Sequence, residues 1–207
     1  MSPVRTAATV VVLAAGGGSR FAGDGPKLGQ PLGASSVLAH TLNAVVASGL
    51  PLVVVTVAAL VDQAQRVVAS RDIVLLPPVG SPSREPLGVG YSIAAGVSAR
   101  AQAGGWLVPP ADTPLLPPDS LRGAARALAC SPVAYAQHQG RQGFPVGFSG
   151  ELYSELARLS GDEGVRRLLA RYPSAAVEVE DPGVLFDVNT VDDLDRARRS
   201  VAIADLQ

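Results

Sequence analysis

The sequence predicts an α/β fold in which a mostly parallel, twisted sheet is flanked by helices on both faces. Short runs of β-branched and other apolar residues alternate along the chain with longer segments of helical pattern. The 207 residues are 47% hydrophobic and 17% charged, a balance that supports a packed core. We therefore predict a single domain over residues 1–207.

The strands are predicted from short β-branched runs that are bounded by glycine, proline and polar residues. Six such runs occupy residues 9–14, 52–57, 72–76, 105–109, 133–137 and 176–180. Because helical segments separate them, the strands are expected to be joined by crossover connections and to run mostly in parallel.

The helices are predicted in the segments between these strands, and several carry termination signals. The predicted ranges are 35–48, 62–69, 87–102, 119–129, 150–159, 163–171 and a last helix that begins near residue 190. Ser35 and Ser36 can cap the first helix, and Gly49 lies just past its end. Thr190 and Asp193 have the spacing of a capping box. The proline-rich stretch 77–86 is predicted to be a loop.

Charge and cysteine content argue against several classes of partner. The formal net charge is −1, so the chain has no overall basic field for nucleic acid or an anionic membrane. Cys130 is the single cysteine, which rules out an intramolecular disulfide and fits a reducing cytoplasm. The beginning lacks a signal-peptide pattern, and the apolar run 9–15 is too short to span a bilayer. These features predict a cytoplasmic protein with small-molecule substrates.

A glycine-rich segment after the first strand predicts a phosphate-binding loop. The run 9–15 leads directly into Gly16, Gly17 and Gly18, followed by Ser19 and Arg20. Consecutive glycines let backbone amides approach an anion closely, and a nearby arginine offers a fork of donors. Lys27 follows and can add a mobile positive charge. The spacing matches neither the dinucleotide-binding fingerprint nor the Walker loop.

Two aspartates are candidate metal ligands. Asp112 follows the fourth predicted strand, at the sheet edge where open α/β folds bind ligands, and Mg²⁺ takes one or two carboxylates beside substrate phosphates. Asp187 and Asn189 would point to one side of an extended segment. The alternatives are that Asp112 caps the turn before Pro114 and that residues 187–190 only lead into the last helix.

Five further motifs occur in a characteristic order, and with the first they resemble the molybdenum cofactor cytidylyl/guanylyltransferase family of nucleotidyltransferases. They follow Leu13-Ala-Ala-Gly-x-x-x-Arg20 and Pro26-Lys-Leu28, and they are Gly88–Val97, Ala111–Leu116, Gly143–Phe148, Gly161–Arg166 and Asp187–Thr190. The resemblance covers nearly the whole chain and implies a nucleotide-diphospho-sugar transferase fold, which is Rossmann-like.

The resemblance also implies roles for individual residues. The implied catalytic residues are Arg20, Lys27 and Asp112, and the implied Mg²⁺ ligands are Asp112 and Asp187. Nucleotide binding is implied for Leu13, Ala14, Ala15, Gly16, Gly17, Gly18, Ser19, Arg20, Lys27, Gly88 and Ser92. Acceptor binding is implied for Gly143, Phe144, Pro145, Asp162 and Arg166. At Gly88 and Gly90, close helix packing is an equally good explanation of the glycines.

The implied reaction is transfer of CMP from CTP to the terminal phosphate of molybdenum-molybdopterin, with release of pyrophosphate. Ala15 resembles cytidylyltransferases, since guanylyltransferases of the family usually have glycine there, and a molybdenum hydroxylase is the implied partner. Phe144 departs from the family by replacing a histidine, and Pro109 and Pro110 replace an aliphatic residue and glycine. A guanylyltransferase, a sugar- or polyol-phosphate nucleotidyltransferase and a non-catalytic carrier of the molybdenum cofactor remain open.

Overall fold

The computed structural model of the protein describes residues 7–16, 18, 20–77 and 88–204. The predictions for Gly17, Ser19, Leu87 and most of the loop at 77–86 lie outside the described residues. The strands are β1 (Thr9–Ala14), β2 (Pro31–Leu32), β3 (Ser35–Ser36), β4 (Leu52–Thr56), β5 (Ile73–Leu75), β6 (Gly105–Val108), β7 (Val133–His138), β8 (Arg141–Ser149) and β9 (Ser174–Glu178).

Seven of these strands form one sheet in the order β5-β4-β1-β6-β8-β7-β9, and β2 pairs with β3 as a separate hairpin. The pairs β5–β4, β4–β1, β1–β6 and β7–β9 are parallel. Only β8 runs against its neighbours, because its pairs with β6 and β7 are both antiparallel. The prediction of a mostly parallel sheet is therefore confirmed.

Helices cover both faces of this sheet. They are α1 (Val37–Ala47), α2 (Val61–Gln65), α3 (Gly88–Ala99), α4 (Pro118–Ala127), α5 (Tyr153–Leu156), α6 (Glu163–Arg171) and α7 (Val191–Ala204). Within the described ranges, none of these helices has the length and hydropathy needed to cross a membrane.

Alternate residues of β1 divide the core into two layers. Val10 and Val12 belong to a cluster that includes Leu42 of α1 and Leu121 of α4. Val11 belongs to the cluster on the opposite face, which includes residues of α3, α5 and α6. This pattern follows from the two-residue period of a strand, and it explains why the predicted central strands are continuous apolar runs. A Cβ on Gly96 of α3 would lie 2.2 Å from Val11 Cγ1, so that helix packs very closely on the sheet.

Strand β8 was not among the predicted strands, because glycine and proline interrupt its pattern. Its small residues instead allow close packing: a Cβ on Gly143 would lie 2.3 Å from the carbonyl oxygen of Val184, and one on Gly147 would lie 2.6 Å from Leu107 Cδ2. Pro145 has no amide hydrogen for the sheet ladder, and the register between β7 and β8 shifts beside it. Residues that usually weaken a strand therefore mark a bulge here.

Some predicted bounds differ from the observed ones. The helix predicted at 62–69 ends at Gln65, and the one predicted at 150–159 is a 3-10 turn over Gly150–Leu152 followed by the short α5. Strand β9 begins two residues before the predicted start at 176. Cys130 is exposed.

The last helix begins with the predicted capping box. The Thr190 amide donates to Asp193 Oδ2 at 2.9 Å, and the Asp193 amide donates back to Thr190 Oγ1 at 3.1 Å. Burial alone would raise the pKa of the Asp193 carboxyl, but hydrogen bonds from Arg196, Thr190 and the amide of Asn189 outweigh it and lower the pKa to about 2.

We expect Asp193→Asn to lower the stability of the protein at neutral pH by about 1–2 kcal/mol, the usual cost of a lost helix cap. Because the folded-state pKa lies below the ordinary value of 3.8, the stabilisation is present above about pH 4 and is lost as the pH falls towards 2. Chemical denaturation of both proteins between pH 7 and pH 2.5 should show a difference that shrinks with acid. A difference in the free energy of unfolding that does not change with pH would contradict the lowered pKa of Asp193.

Candidate active site

The glycine-rich loop follows β1 and borders open space. Gly16 is exposed, and a Cβ added there would meet no protein atom within 4 Å. Gly18 has a φ of +60°, which favours glycine, and a Cβ on it would lie 3.4 Å from Lys27 Cβ. The loop therefore leaves room on its outer side for a ligand to approach the backbone.

Two cavities adjoin this loop. The first, here called the apolar cavity, has a volume of about 350 Å³, and residues from β1, the loop, the segment after β5 and α3 line it. Among its lining residues are Leu13, Ala15, Leu28, Leu76, Tyr91 and Ser92. The second, here called the polar cavity, has a volume of about 320 Å³ and is lined by Gly16, Gly18, Arg20, Lys27, Pro110, Asp112, Asp187 and Asn189.

The two cavities share five lining residues, and an ion pair stands among them. Lys27 lies in a 3-10 turn over Lys27–Gly29, and its Nζ donates to Asp112 Oδ2 across 85 positions of sequence. The two side chains are only 11% and 15% exposed. Both residues were predicted to belong to the site, but the contact between them was not predicted.

The second oxygen of Asp112 is the clearest sign of a cation site. Asp112 Oδ1 is buried and has no hydrogen-bond partner in the described part of the chain. A buried acceptor without a partner is costly, and for a charged carboxylate the cost is larger still. A cation bound in the polar cavity would remove this cost.

A backbone hydrogen bond joins the segment that carries Asp187 to Asp112. The Val188 amide donates to the Asp112 carbonyl oxygen at 2.8 Å, which ties the segment before α7 to the end of β6. Asn189 Nδ2 donates to Asp187 Oδ2 at 2.5 Å, so the two side chains share one side of the segment. Both line the polar cavity with Asp112, as expected from the extended pattern.

This donor set fits a hard divalent cation. Among the residues that the structure describes, no group of three or more His, Cys, Asp or Glu side chains is placed to hold a metal ion. Mg²⁺ is commonly held by one or two carboxylates, with phosphate and water oxygens in its other positions. Asp112 and Asp187 are two carboxylates of this kind in the lining of one cavity, so they could hold such an ion.

The beginning of α3 combines the two explanations offered for its glycines. Gly88 and Ser92 line the apolar cavity. The amides of Val89 and Gly90 are nevertheless occupied, since they donate to Asp162 Oδ1 at 2.8 Å and to the Gly161 carbonyl oxygen at 3.1 Å. A Cβ on Gly88 would lie 2.5 Å from Gly161 Cα, so close packing does account for that glycine.

The residues implied in acceptor binding lie outside the lining of these two cavities. Gly143 and Pro145 are buried positions of β8, and the partly buried Phe144 packs against the core cluster that contains Val10 and Val12. Asp162 caps α3, and Arg166 is an exposed side chain whose Nη1 lies 3.7 Å from Glu163 Oε1. Their role in acceptor binding stays a prediction.

One predicted residue, Ala14, does not line the cavities, whereas two residues that were not predicted do. Ala14 is fully buried and lines neither cavity, so its role in nucleotide binding stays a prediction. Tyr91 and Leu76 line the apolar cavity and were not predicted. Tyr91 directly precedes Ser92 within a quoted motif, which is the signal that would have indicated it.

Comparison with known proteins gives a consistent result. The model of the MobA-like NTP transferase domain matches residues 10–177. No curated protein matches the chain significantly.

Solved structures similar to the chain extend over almost its full length. A homologue of Mycobacterium tuberculosis Rv0371c from Mycobacterium sp. strain JC1 is 26% identical, with a TM-score of 0.79 over 97% of this chain and 100% of that chain. Rv0371c from Mycobacterium tuberculosis in complex with manganese is 27% identical, with a TM-score of 0.73 over 94% and 100%. A nucleotidyl transferase from Methanothermobacter is 24% identical, with a TM-score of 0.77 over 96% and 99%.

Proposed function

This chain belongs to the MobA-like NTP transferase family, and on that premise we propose that it transfers CMP from CTP to the terminal phosphate of molybdenum-molybdopterin. Nucleotidyl transfer is the family's activity, whereas the base, the acceptor and the metal ion are our proposal. We propose further that residues 1–207 form one nucleotidyltransferase domain that works in the cytoplasm and serves a molybdenum hydroxylase.

The observation that carries the proposal is the buried Asp112 Oδ1, which has no partner among the described residues and belongs to a side chain that lines the polar cavity with Asp187 and Arg20. We assign the triphosphate to this cavity and Mg²⁺ to the two aspartates. The manganese complex of Rv0371c, a protein 27% identical to this chain, supports a divalent metal ion. Bound there, Mg²⁺ would neutralise charge on the phosphates and on the departing pyrophosphate.

The reaction needs positioning more than proton transfer. An oxygen of the acceptor's terminal phosphate attacks the α-phosphorus of CTP, and the bond from that phosphorus to the bridging oxygen breaks, so that pyrophosphate leaves with the electron pair. Because the attacking oxygen is already anionic, no strong general base is required. Lys27, Arg20 and the amides of the glycine loop hold anions together and stabilise the charge that develops on the leaving group.

The apolar cavity is the proposed site of the nucleoside. Leu13, Leu76 and Tyr91 supply apolar walls, and the Ser92 hydroxyl adds a polar group at the start of α3. A nucleoside binds in such a setting through apolar contact and a few placed polar groups. Ala15 lines this cavity and is only 8% exposed, so its methyl group limits the space there.

We expect the protein to prefer CTP to GTP, and Ala15→Gly to relax that preference by making room for a purine. Calorimetric titration of each protein with the four nucleoside triphosphates in magnesium buffer measures both effects. Ala134→Gly is the matched control, because Ala134 is a buried alanine of β7 that lines neither cavity. Tighter binding of GTP than CTP by the unaltered protein would instead favour a guanylyltransferase.

The acceptor is tested by pyrophosphate release. The purified protein is incubated with CTP, Mg²⁺ and either molybdenum-molybdopterin or a panel of sugar and polyol phosphates. Release with molybdenum-molybdopterin alone supports the proposal, and release with a sugar or polyol phosphate alone overturns it. Binding of the pterin without any release under all conditions would favour the carrier.

A further inference from the structure

We propose that Asp193 is a positioning residue for the metal ligand Asp187, an inference that rests on the proposed function and assigns a residue to its metal site. Asp193 acts with Thr190 and Arg196, and these three residues are called the Asp193 clamp below. Asp193 and Arg196 lie on the first turns of α7, and Thr190 directly precedes the helix, immediately after the segment that carries Asp187 and Asn189.

The carboxylate of Asp193 holds the segment from its carboxyl-terminal side. Asp193 is only 9% exposed. Its Oδ2 accepts from the Asn189 amide at 3.0 Å, the Thr190 amide at 2.9 Å and Thr190 Oγ1 at 2.8 Å. An ordinary capping box needs only the contact with Thr190, so the bond to the Asn189 amide extends the hold beyond the helix.

Arg196 holds the same segment from its amino-terminal side. Its guanidinium donates to Asp193 Oδ1 and lies over the ring of Phe186, with 5.8 Å between the guanidinium carbon and the ring centroid. Phe186 directly precedes Asp187. The clamp therefore contacts the chain on both sides of the proposed metal ligand.

Two further hydrogen bonds connect the segment held by the clamp to the proposed metal ligands Asp112 and Asp187. Between the two held points, the Val188 amide is bonded to the Asp112 carbonyl oxygen, and Asn189 Nδ2 is bonded to Asp187 Oδ2. The segment that carries Asp187 is thus bonded to Asp112 at Val188 and to the buried Asp193 at Asn189, and these bonds fix the position of Asp187 relative to Asp112. Groups that orient a metal ligand commonly change metal affinity by about 10- to 100-fold when they are removed.

Metal affinity separates this role from helix capping alone. Mn²⁺ is titrated into the purified full chain without nucleotide, and free Mn²⁺ is followed by electron paramagnetic resonance. The variants are Asp193→Ala, which removes every contact of the carboxylate, and Asp193→Asn, which retains an acceptor oxygen. Ser36→Ala is the matched control, because Ser36 caps α1 through the Ala39 amide at 3.3 Å and lines neither cavity.

We expect Asp193→Ala to bind Mn²⁺ about tenfold more weakly than the unaltered protein. Asp193→Asn should recover part of this loss, and Ser36→Ala should bind normally although it is also destabilised. In the transfer reaction, Asp193→Ala should need about tenfold more Mg²⁺ for half-maximal rate and should recover most of its rate at saturating Mg²⁺. A defect in stability alone would not follow the metal concentration in this way.

Normal Mn²⁺ binding by Asp193→Ala would overturn this inference and leave the proposed function intact. Should that variant not fold, Arg196→Ala replaces it, since the Arg196 side chain is 61% exposed and its loss still removes the contacts to Asp193 and Phe186. Unchanged Mn²⁺ affinity in Arg196→Ala would then overturn the inference. If the unaltered chain itself binds no Mn²⁺, both the inference and the proposed metal site are wrong.

Discussion

Asp112→Asn and Asp187→Asn are each expected to abolish most nucleotidyl transfer, lowering the rate by about 100- to 1000-fold, as loss of one preorganised electrostatic group does. The double variant is expected to be little worse than either single one, because both substitutions remove the same ion. Both carboxylates line the polar cavity, and a backbone hydrogen bond joins their segments. Pyrophosphate release at several Mg²⁺ concentrations measures all three variants.

The apoprotein gives an independent check on these variants. Asp187→Asn should leave its thermal stability level or slightly higher, since the substitution relieves repulsion between two carboxylates. Asp112→Asn differs, because it leaves Lys27 without its anionic partner at a site where that side chain is only 11% exposed. Near-normal activity of Asp187→Asn at low Mg²⁺ would remove Asp187 from the metal site.

Lys27→Ala is expected to weaken binding of the nucleoside triphosphate by about 1.5–3 kcal/mol, the range for hydrogen bonds to charged groups. This corresponds to an increase in Kd of about 10- to 150-fold. Lys27 lies between the two cavities and reaches both, so its charge is available to the triphosphate wherever the nucleoside binds. Calorimetric titration with CTP and Mg²⁺, together with turnover measurements, tests the expectation.

Two comparisons make this result interpretable. Arg66→Ala removes a cation from the end of α2 and is expected to bind CTP normally, because Arg66 lines neither cavity. Circular dichroism should show that Lys27→Ala retains its fold, although Asp112 then loses the hydrogen bond from Lys27. If affinity and rate in Lys27→Ala both match the unaltered protein, Lys27 does not contact the triphosphate.

The sequence predicted the parallel strands well because buried strands have a simple pattern. β1 and β4 lie inside the sheet with helices on both faces, so each contains three consecutive valines and most of its residues are apolar. β8 was missed because Gly143 and Gly147 meet close contacts that only the folded protein defines, and because Pro145 interrupts the strand pattern. The strand propensity of a residue does not show which distant groups pack against it, such as the Val184 carbonyl oxygen beside Gly143.

The candidate site likewise contains some features that the sequence predicted and others that it did not. The glycine loop and Asp112 were predicted because each follows a strand at the sheet edge that binds ligands. Asp187 was predicted from its alternation with Asn189 and from the family resemblance. The Lys27–Asp112 contact joins residues 85 positions apart, and spacing alone does not predict such a pair. Likewise, the capping box indicated where α7 begins but gave no sign that Asp193 also binds the Asn189 amide.

The Lys27–Asp112 pair also has a consequence for covalent chemistry on this protein. Of the 17 Lys and Arg residues of the protein, all except Lys27 are arginines, so Lys27 carries the only ε-amino group among the 207 residues. Reagents that acylate amines therefore have one side-chain target, and that amine is largely covered and bonded to a carboxylate. Such a reagent can react with Lys27 only when the Lys27–Asp112 ion pair breaks. The extent of labelling at Lys27 therefore reports how often this ion pair is broken.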